Sequence, residues 1–287
     1  MNFVTFHVHC TLGMGEGHPN TNLVHQQYIQ MIDMLFRSAR LFCPEASCTL
    51  LTDNNTVVDN ISGEYRRIKL PININTLMLS RSLAQLQYLE SYDFTQPVVL
   101  LDSDILLNAS ISPLLQEDFD VGLTWRENKS MPINGGFLIL NNRRPDITRA
   151  FFRQFVNIYR DRYIEKSNWY GDQLALRDCV GLSYQEMAIS RIVTVDGCRI
   201  LLLPCDTYNF SPKNSYNAIK QRFSDKIVIH FKGQRKRLME PFWNSYLLSH
   251  ESHTLSNWYK SYLSNRQILK LASRERDLSM KQIRGGK

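Results

Sequence analysis

The sequence feature that most constrains the fold is a run of four consecutive apolar residues, Val98–Leu101, which Pro97 precedes and an acidic segment follows. Because side chains alternate between the two faces of a strand, a strand that is apolar at every position must be covered on both faces. Other apolar runs of strand length recur along the chain, and segments of helical periodicity separate them. This alternation predicts an α/β fold with a mostly parallel central sheet flanked by helices.

The predicted elements can be placed from composition and periodicity. Strands are predicted at residues 3–12, 48–53, 98–101, 137–140, 199–203 and 227–231, and helices at residues 25–41, 81–92, 147–162 and 172–177. No repeat or linker-like stretch precedes residue 245. The sequence therefore predicts one large domain over residues 1–245 and a basic helical extension over residues 246–287.

The composition is that of a folded, non-membrane chain. Hydrophobic residues make up 43% of the 287 residues, which is enough for a large core. No window of 18 residues is uniformly apolar, and the first residues lack the basic and apolar regions of a secretory signal. Six widely spaced cysteines without a C-x-x-C pair favour reduced thiols. We therefore expect a cytoplasmic location.

The positive charge is concentrated at the C-terminal end. The formal net charge is +7, and residues 254–287 contain eight basic and two acidic residues, so the rest of the chain is nearly neutral and is not expected to bind nucleic acid. Apolar and aromatic residues recur in this segment at helical spacing: Leu255, Trp258, Tyr259, Tyr262 and Leu263. Two interpretations stay open, a peripheral contact with an anionic membrane surface and a helix packed on its own domain.

The candidate chemistry follows the apolar run. Asp102 and Asp104 are one residue apart at the carboxyl end of a buried strand, where open α/β sheets place their ligands. Residues i and i+2 of a strand point to the same side, so both carboxylates can reach one divalent cation. Carboxylate and phosphate oxygens are preferred ligands of Mg²⁺ and Mn²⁺. The alternative is an acidic turn without a metal.

Two reaction classes use such a pair of carboxylates. A phosphatase of the haloacid-dehalogenase type uses the first aspartate as nucleophile, but it favours Thr or Val where this chain has Leu106, and its site lies near the N-terminus rather than after 101 residues. The other class is transfer from a nucleotide sugar, in which a metal ion binds the diphosphate.

The segment 100–106 resembles the DxD element of GT-A glycosyltransferases, and is most similar to the retaining family 8 enzymes, which include glycogenin and bacterial lipopolysaccharide galactosyltransferases. Further segments that resemble this family occur in the family's order. Arg81 precedes segment 100–106. After it come residues 133–137 with Asn134-Gly135-Gly136, residues 170–173 with Asp172-Gln173, residues 205–210, and the H-x-x-G-x-x-K pattern of His230, Gly233 and Lys236. The resemblance covers roughly residues 78–243 and implies the GT-A fold.

The resemblance also implies roles for these residues. Asp102, Asp104 and His230 would bind Mn²⁺ or Mg²⁺. Lys236 and Gly233 would contact the diphosphate, and Arg81 would lie near the sugar and the phosphates. Four further positions, Ser103, Asn134, Gly135 and Gly136, would line the donor site. Asp172 and Gln173 would be the catalytic pair, acting through position and electrostatics.

The chain departs from the family at the nucleobase. Family members commonly carry an acidic residue after the first strand, whereas this chain has Cys10-Thr11-Leu12 there. Thr11 and the later Asp53 are the candidates for base contact. The expected activity is metal-dependent transfer of a hexose from a nucleotide sugar, with UDP as the expected nucleotide, to a glycan, lipid-linked or protein acceptor, with retained configuration. A catalytically silent nucleotide-sugar-binding module is the alternative.

Overall fold

The computed structural model describes residues 1–10 and 24–285 of the chain. The described residues form ten strands: β1 (Asn2–Phe6), β2 (Ser47–Thr52), β3 (Arg66–Lys69), β4 (Val98–Leu101), β5 (Ile105–Leu107), β6 (Val121–Trp125), β7 (Ile133–Leu140), β8 (Ile192–Val195), β9 (Cys198–Pro204) and β10 (Val228–His230). They also form nine α-helices: α1 (His25–Phe42), α2 (Leu77–Ser91), α3 (Pro145–Arg162), α4 (Gly171–Val180), α5 (Tyr184–Ile189), α6 (Cys205–Tyr208), α7 (Met239–Tyr246), α8 (Leu248–Glu251) and α9 (Leu255–Gly285). Short 3-10 turns lie at Ile74–Thr76, Ser112–Gln116, Ile164–Lys166, Tyr216–Ile219 and Gly233–Leu238.

Eight of these strands form one sheet in the order β3-β2-β1-β4-β7-β6-β9-β8. β7 is antiparallel to β4 and β6, and β8 is antiparallel to β9, whereas the other neighbouring strands pair in parallel. The mostly parallel sheet predicted from the sequence is therefore confirmed. At the edge where β4, β6 and β9 end, β7 begins, and this edge carries the candidate site.

Helices cover both faces of the sheet, as the apolar run requires. In β4, Val99 and Leu101 belong to a core cluster that contains the apolar side of α1. Val98 and Leu100 point the other way, into a cluster with residues of α2, α3 and α4. All four side chains are at most 3% exposed. Burial on both faces fixes where β4 ends, and so where the acidic segment that follows it lies.

A second sheet brings distant residues to the end of β4. β5 follows the acidic segment directly and pairs antiparallel with β10, with His230 opposite Ile105. The Phe231 amide donates a hydrogen bond to the Asp104 carbonyl at 2.9 Å. This pairing places a residue from the C-terminal half beside the acidic segment. It is the tertiary contact on which the site depends.

The C-terminal helix α9 packs along one side on the rest of the chain. Its residues Ile268 and Ala272 are at most 1% exposed, and Ile268 belongs to a core cluster with residues of α1 and α7. Glu275 accepts a hydrogen bond from the Ser215 hydroxyl at 2.5 Å. The opposite side of α9 is exposed, and it includes Trp258, of which 63% is accessible. None of the helices in the described part of the chain is both long and apolar enough to cross a bilayer.

The predicted boundaries differ from the structure in a few places. The first strand ends at Phe6 rather than at residue 12, and residues 11 and 12 lie outside the described part of the chain. The second helix begins at Leu77, four residues before Arg81. The strand predicted at residues 137–140 begins earlier, at Ile133, and its two glycines lie where the pairing with β6 shifts register, between Asn134 and Leu138.

Candidate active site

A cleft of about 260 Å³ lies at the sheet edge where β4 and β6 end and β7 begins. The acidic segment after β4, the first residues of β7, the start of α4 and the segment after β10 all contribute to its walls. This is the carboxyl edge of the parallel strands, where α/β sheets bind ligands. The functional side chains described below line it.

Three ligand atoms converge at one end of the cleft. The carboxylate oxygens of Asp102 and Asp104 and an imidazole nitrogen of His230 all lie within 4.8 Å of one another. His230 Nε2 is 2.9 Å from Asp104 Oδ1 and 3.5 Å from Asp102 Oδ2. Asp104 and His230 are buried. Two carboxylates and one imidazole form a donor set that suits Mn²⁺ or Mg²⁺.

The orientation of His230 is set by a chain of hydrogen bonds. Asn209 Nδ2 donates to Thr124 Oγ1 at 2.9 Å and to Asn134 Oδ1 at 2.8 Å, so Asn209 Oδ1 must be an acceptor. This oxygen is 2.8 Å from His230 Nδ1, which therefore donates. The other ring nitrogen, Nε2, then presents a lone pair to the two carboxylates.

Asn134 is itself fixed by its neighbours, so the orientation of this chain is determined. The Gly136 amide donates to Asn134 Oδ1 at 3.0 Å, and Asn134 Nδ2 lies 3.4 Å from Gln173 Oε1. Arg126, which can only donate, contacts the same Gln173 oxygen at 3.0 Å. His230 thus donates a hydrogen bond through Nδ1, the ring nitrogen that faces away from the carboxylates, and such a bond is typical of histidines that bind metals.

The charges around the ligand atoms also fit a cation. Burial lowers the pKa of His230, and the nearby Asp104 carboxylate opposes this only in part, so the imidazole is neutral at neutral pH. Burial raises the pKa of Asp104, but its charged neighbours, Lys236 first, lower it by more, so its pKa lies well below its ordinary range. A neutral nitrogen lone pair beside two ionised carboxylates is repulsive unless a cation lies between them. The residues present therefore fit a divalent metal ion.

Each carboxylate also has a protein cation on its other oxygen. Lys236 Nζ is 2.9 Å from Asp104 Oδ2. Arg81 reaches Asp102 Oδ1 at 2.5 Å and, on its other side, Asp172 Oδ2 at 2.7 Å. Arg81 and Lys236 are both buried. The two cations hold the acids in place and leave one oxygen of each facing His230.

Gly136 provides the space beside these ligand atoms. A Cβ atom at this position would lie 2.6 Å from His230 Cε1 and 2.8 Å from Asp102 Oδ2. Both distances are shorter than any real contact of this kind, so only glycine fits here without displacement of the site. The two glycines of the predicted donor segment therefore lie where side chains would fill the cleft.

Asp172 and Gln173 lie in the first turn of α4 with polar atoms available to a ligand. Asp172 is 4% exposed, and its Oδ1 accepts no hydrogen bond from the described residues. Its other oxygen is paired with Arg81, and the N-cap of α4 is Tyr170, so Asp172 is not the helix cap. The Gln173 oxygen is occupied by Arg126, and this leaves its amide nitrogen as a donor. Together they offer one acceptor and one donor to a ligand in the cleft.

An aromatic rim precedes α4. Trp169 and Tyr170 line the cleft, are 39% and 44% exposed, and have ring centroids 5.2 Å apart. Tyr170 has a φ of 66°, a conformation that residues other than glycine seldom adopt. A Cβ at Gly171 would lie 2.2 Å from the Tyr159 ring, so the chain must pass close to α3 here. This strained turn aims the two rings toward the cleft.

Most of the residues predicted from the sequence come together in this cleft. Arg81, Asp102, Ser103, Asp104, Asn134, Gly135, Gly136, Asp172, Gln173, His230, Gly233 and Lys236 all line it. Thr11 lies outside the described residues. Asp53 does not line the cleft, and its Oδ1 accepts the amides of Asn55 and Thr56 at 3.2 and 2.7 Å, so it caps the turn after β2.

Several residues of the site were not predicted. Arg126, Trp169 and Lys232 line the cleft, and Asn209 orients His230 from behind. Asn209 lies within segment 205–210, so the resemblance pointed to its neighbourhood without giving it a role. Arg126 follows β6, a strand that the sequence did not predict, and no local pattern marks it.

The sequence matches no protein-family model and no curated protein. Its structure is similar to the glycosyltransferase GlyE of Streptococcus pneumoniae TIGR4, with a TM-score of 0.51 and 16% identity over 91% of this chain and 63% of that chain. The apo form of GlyE gives a TM-score of 0.51 and 14% identity over 94% and 63%. This chain thus spans about 63% of the length of GlyE.

The galactosyltransferase LgtC, in a complex with donor and acceptor sugar analogues, is similar with a TM-score of 0.49 and 14% identity over 93% of this chain and 96% of that chain. The conclusion about fold rests on GlyE, whose TM-score is higher. The eight-stranded sheet flanked by helices, with the site at its carboxyl edge, is the arrangement expected of the GT-A fold. The chain therefore has a glycosyltransferase fold of the GT-A type.

Proposed function

We propose that this chain is a metal-dependent glycosyltransferase that moves a hexose from a UDP-sugar to an acceptor hydroxyl. One observation carries the proposal: the neutral Nε2 of His230 faces the oxygens of Asp102 and Asp104 at 3.5 Å or less. Such a set is matched to a divalent cation, and it lies in a cleft at the ligand-binding edge of a GT-A fold. Mn²⁺ or Mg²⁺ held there would act as a Lewis acid toward the diphosphate leaving group.

The side chains beside the metal ligands suit a nucleotide sugar. Lys236 and Arg81 are buried cations at the acids, where they would also face phosphate oxygens. Gly233 lets the backbone approach the diphosphate, and Ser103 lines the same wall. The nucleobase would lie toward the loops that follow β1 and β2, where Thr11 and Asp53 remain the candidates.

The sugar would lie between β7 and α4. Asn134 is held by its hydrogen bonds to Gly136 and Asn209, so it is a fixed polar group for a hydroxyl. Gly135 leaves room beside Asp172, because a Cβ there would lie 3.1 Å from Asp172 Oδ2. The open acceptor atom of Asp172 and the open donor of Gln173 would orient the ring.

Retention of configuration is part of the proposal. The pairing of Asp172 with Arg81 ties its carboxylate to a cation and makes it a poor nucleophile. We propose that Asp172 and Gln173 act by position and electrostatics, and that the leaving phosphate accepts the proton of the acceptor hydroxyl. Proton NMR of the first product formed would show the same anomeric configuration as the donor. An inverted product would contradict this step.

A panel of nucleotide sugars tests the activity. The purified protein is incubated with each donor and Mn²⁺, and release of the nucleoside diphosphate is measured with and without EDTA. We expect metal-dependent release from a UDP-hexose. Metal-dependent UDP binding without turnover of any donor would instead favour the silent binding module.

Two carboxylate variants test the metal site. Asp104→Asn keeps the shape of the side chain but removes its charge, and it should abolish metal-dependent UDP binding and turnover together. Asp146→Asn is the matched control, because Asp146 is an exposed acid on α3 whose side chain is 99% accessible. Unchanged turnover in a folded Asp104→Asn variant would remove the metal assignment.

We also propose that α9, within the predicted extension at residues 246–287, contacts an anionic membrane surface. Its exposed side carries apolar and aromatic side chains that are 44% to 87% accessible: Leu255, Trp258, Tyr259, Tyr262 and Leu263. Basic residues on the same helix, among them Lys260, Arg266 and Lys270, suit anionic headgroups. The buried side of α9 packs on the core, so this role calls for substitutions rather than for deletion of the helix.

Vesicle sedimentation tests the membrane contact. The protein should bind vesicles that contain a third of phosphatidylglycerol more strongly than vesicles of phosphatidylcholine alone. The double variant Trp258→Ser/Tyr262→Ser should lose this binding, whereas Ile189→Ser, which alters an exposed apolar residue on α5, should keep it. Equal binding by all three proteins would contradict the proposal.

A further inference from the structure

We propose that Arg126 and Lys232 form a subsite for an anionic group, a phosphate or a carboxylate, on the acceptor. This inference rests on the proposed function and adds the chemical class of the acceptor. It follows from the charges that line the cleft, from their place along the sheet and from the contacts that hold them.

The cleft contains more positive charge than a nucleotide sugar needs. Five cationic side chains and three carboxylates line it in the described part of the chain. Arg81 and Lys236 are paired with the carboxylates. A divalent ion and a UDP-sugar, which carries two negative charges on its diphosphate, would balance each other. The two paired cations leave one carboxylate charge over, so the remaining three cations, Arg126, Lys232 and Arg235, exceed the available negative charge by two.

Neither cation of the subsite has an acidic partner. Within residues 1–10 and 24–278, no carboxylate oxygen forms an ion pair with Arg126 or Lys232 at a nitrogen–oxygen distance of 4.0 Å or less. Arg126 donates instead to the Met131 carbonyl and to Gln173 Oε1, each at 3.0 Å. Both of these acceptors are neutral. The guanidinium is therefore held rigidly while its charge stays available to a ligand.

The two cations line the same cleft, and both lie near Cys205. Burial raises the pKa of the Cys205 thiol, and the positive charges of Lys232 and Arg126 both oppose this rise. Cys205 begins α6, directly after β9, so both charges lie near the end of that strand. Two cations of different geometry beside one space suit a phosphate or a carboxylate, which can accept from both.

Their place along the sheet favours the acceptor over the donor. The strand order reverses beside β1, because β2 lies on one side of it and β4 on the other. In nucleotide-binding α/β sheets the nucleotide lies at such a switch point. The metal ligands follow β4. Arg126 follows β6, which lies two strands beyond β4, and Cys205 follows β9, which lies one strand further. The anionic subsite is thus on the side of the metal opposite the predicted nucleotide.

A binding experiment in two steps tests this inference without knowledge of the acceptor. Isothermal titration first measures UDP binding in the presence of Mn²⁺, and failure of this step would contradict the proposed function. The protein saturated with Mn²⁺ and UDP is then titrated with inorganic sulfate, glucuronic acid and glucose. We expect the two anions to bind at least about tenfold more tightly than glucose, because charge-assisted hydrogen bonds are stronger than neutral ones. Equal binding of anions and glucose would overturn the inference alone.

Variants of the lysine separate the acceptor from the donor. Lys232→Gln should weaken sulfate binding about tenfold, and Lys232→Arg should restore most of it. Lys129→Gln is the matched control, since Lys129 is exposed on the loop after β6 and does not line the cleft. If Lys232→Gln instead weakens the binding of UDP as strongly as that of sulfate, Lys232 serves the donor diphosphate, and the proposal is overturned.

Discussion

Gly136→Ala is the substitution that tests the metal site most directly. Gly136 lies in β7 beside the ligand atoms, and its amide and carbonyl are both bonded, to Asn134 Oδ1 and to the Asp102 amide, each at 3.0 Å. Gly136 does not have a positive φ, so alanine can adopt its conformation. Loss of a glycine also lowers the entropy of the unfolded chain. We therefore expect the variant to fold and its effect to be confined to the site.

The magnitude follows from the geometry. The added Cβ would lie 2.6 Å from His230 Cε1, whereas carbon atoms in contact are at least about 3.5 Å apart. The imidazole or the strand must therefore move by about 1 Å. A displacement of this size costs about 100-fold in rate, which corresponds to about 2.7 kcal/mol in the barrier. The affinity for Mn²⁺ should fall by about 10- to 100-fold, as it does when partners of metal ligands are lost.

The assay compares two adjacent glycines. Titration with Mn²⁺ and release of nucleoside diphosphate are measured for Gly136→Ala and for Gly135→Ala. A Cβ at Gly135 points toward Asp172, at 3.1 Å, and away from the metal ligands. Gly135→Ala should therefore keep its Mn²⁺ affinity while turnover falls. If folded Gly136→Ala binds Mn²⁺ as the parent protein does, the assignment of this end of the cleft to a metal is refuted.

Buried charges, the metal and the thiols provide three further tests. Arg81→Met should lower the free energy of unfolding in urea by about 3 kcal/mol, because Asp172 loses its counter-charge. The double variant Arg81→Met/Asp172→Asn should recover part of this lost stability. If the effect of the double variant equals the sum of the effects of the two single variants, the pairing is contradicted. Mn²⁺ at 100 times its Kd should stabilise the protein by about 2.7 kcal/mol, and an equal gain in Asp104→Asn would count against the site. Burial raises the pKa of Cys179 and Cys198 to about 12. At pH 9 the thiol form should therefore exceed the thiolate form by about a thousandfold, and both cysteines should react slowly with iodoacetamide until the protein is unfolded. Rapid labelling of the native protein would refute this packing.

Local sequence was enough to place the acidic segment. A strand apolar at every position can only be a buried one, so the position of Asp102 and Asp104 at its end follows from residues 98–104 alone. The same reasoning failed for β3 and β6. β3 is polar because it lies at the edge of the sheet, and β6 contains Gly122 and Thr124, which weaken its apolar pattern. Their pairing within the sheet overrides this weak local preference.

The resemblance to family 8 supplied His230 and Lys236, but it could not give their contacts. His230 lies beside Asp104 because β10 pairs with β5, and this pairing brings together two residues that are 126 positions apart in the chain. The protonation of the ring depends on Asn209, whose own orientation depends on Thr124 and Asn134. Hydrogen-bond directions of this kind are set by several elements together.

What the sequence determined by itself is therefore local: which strand is buried on both faces, where it ends and which acids follow it. Only the tertiary structure decided which cations are neutralised and which stay available. Arg81 and Lys236 meet carboxylates, whereas Arg126 meets a carbonyl and an amide. The physical reason is that charge acts through space over a few ångströms, and neighbours at that distance come from strands and helices far apart in the chain.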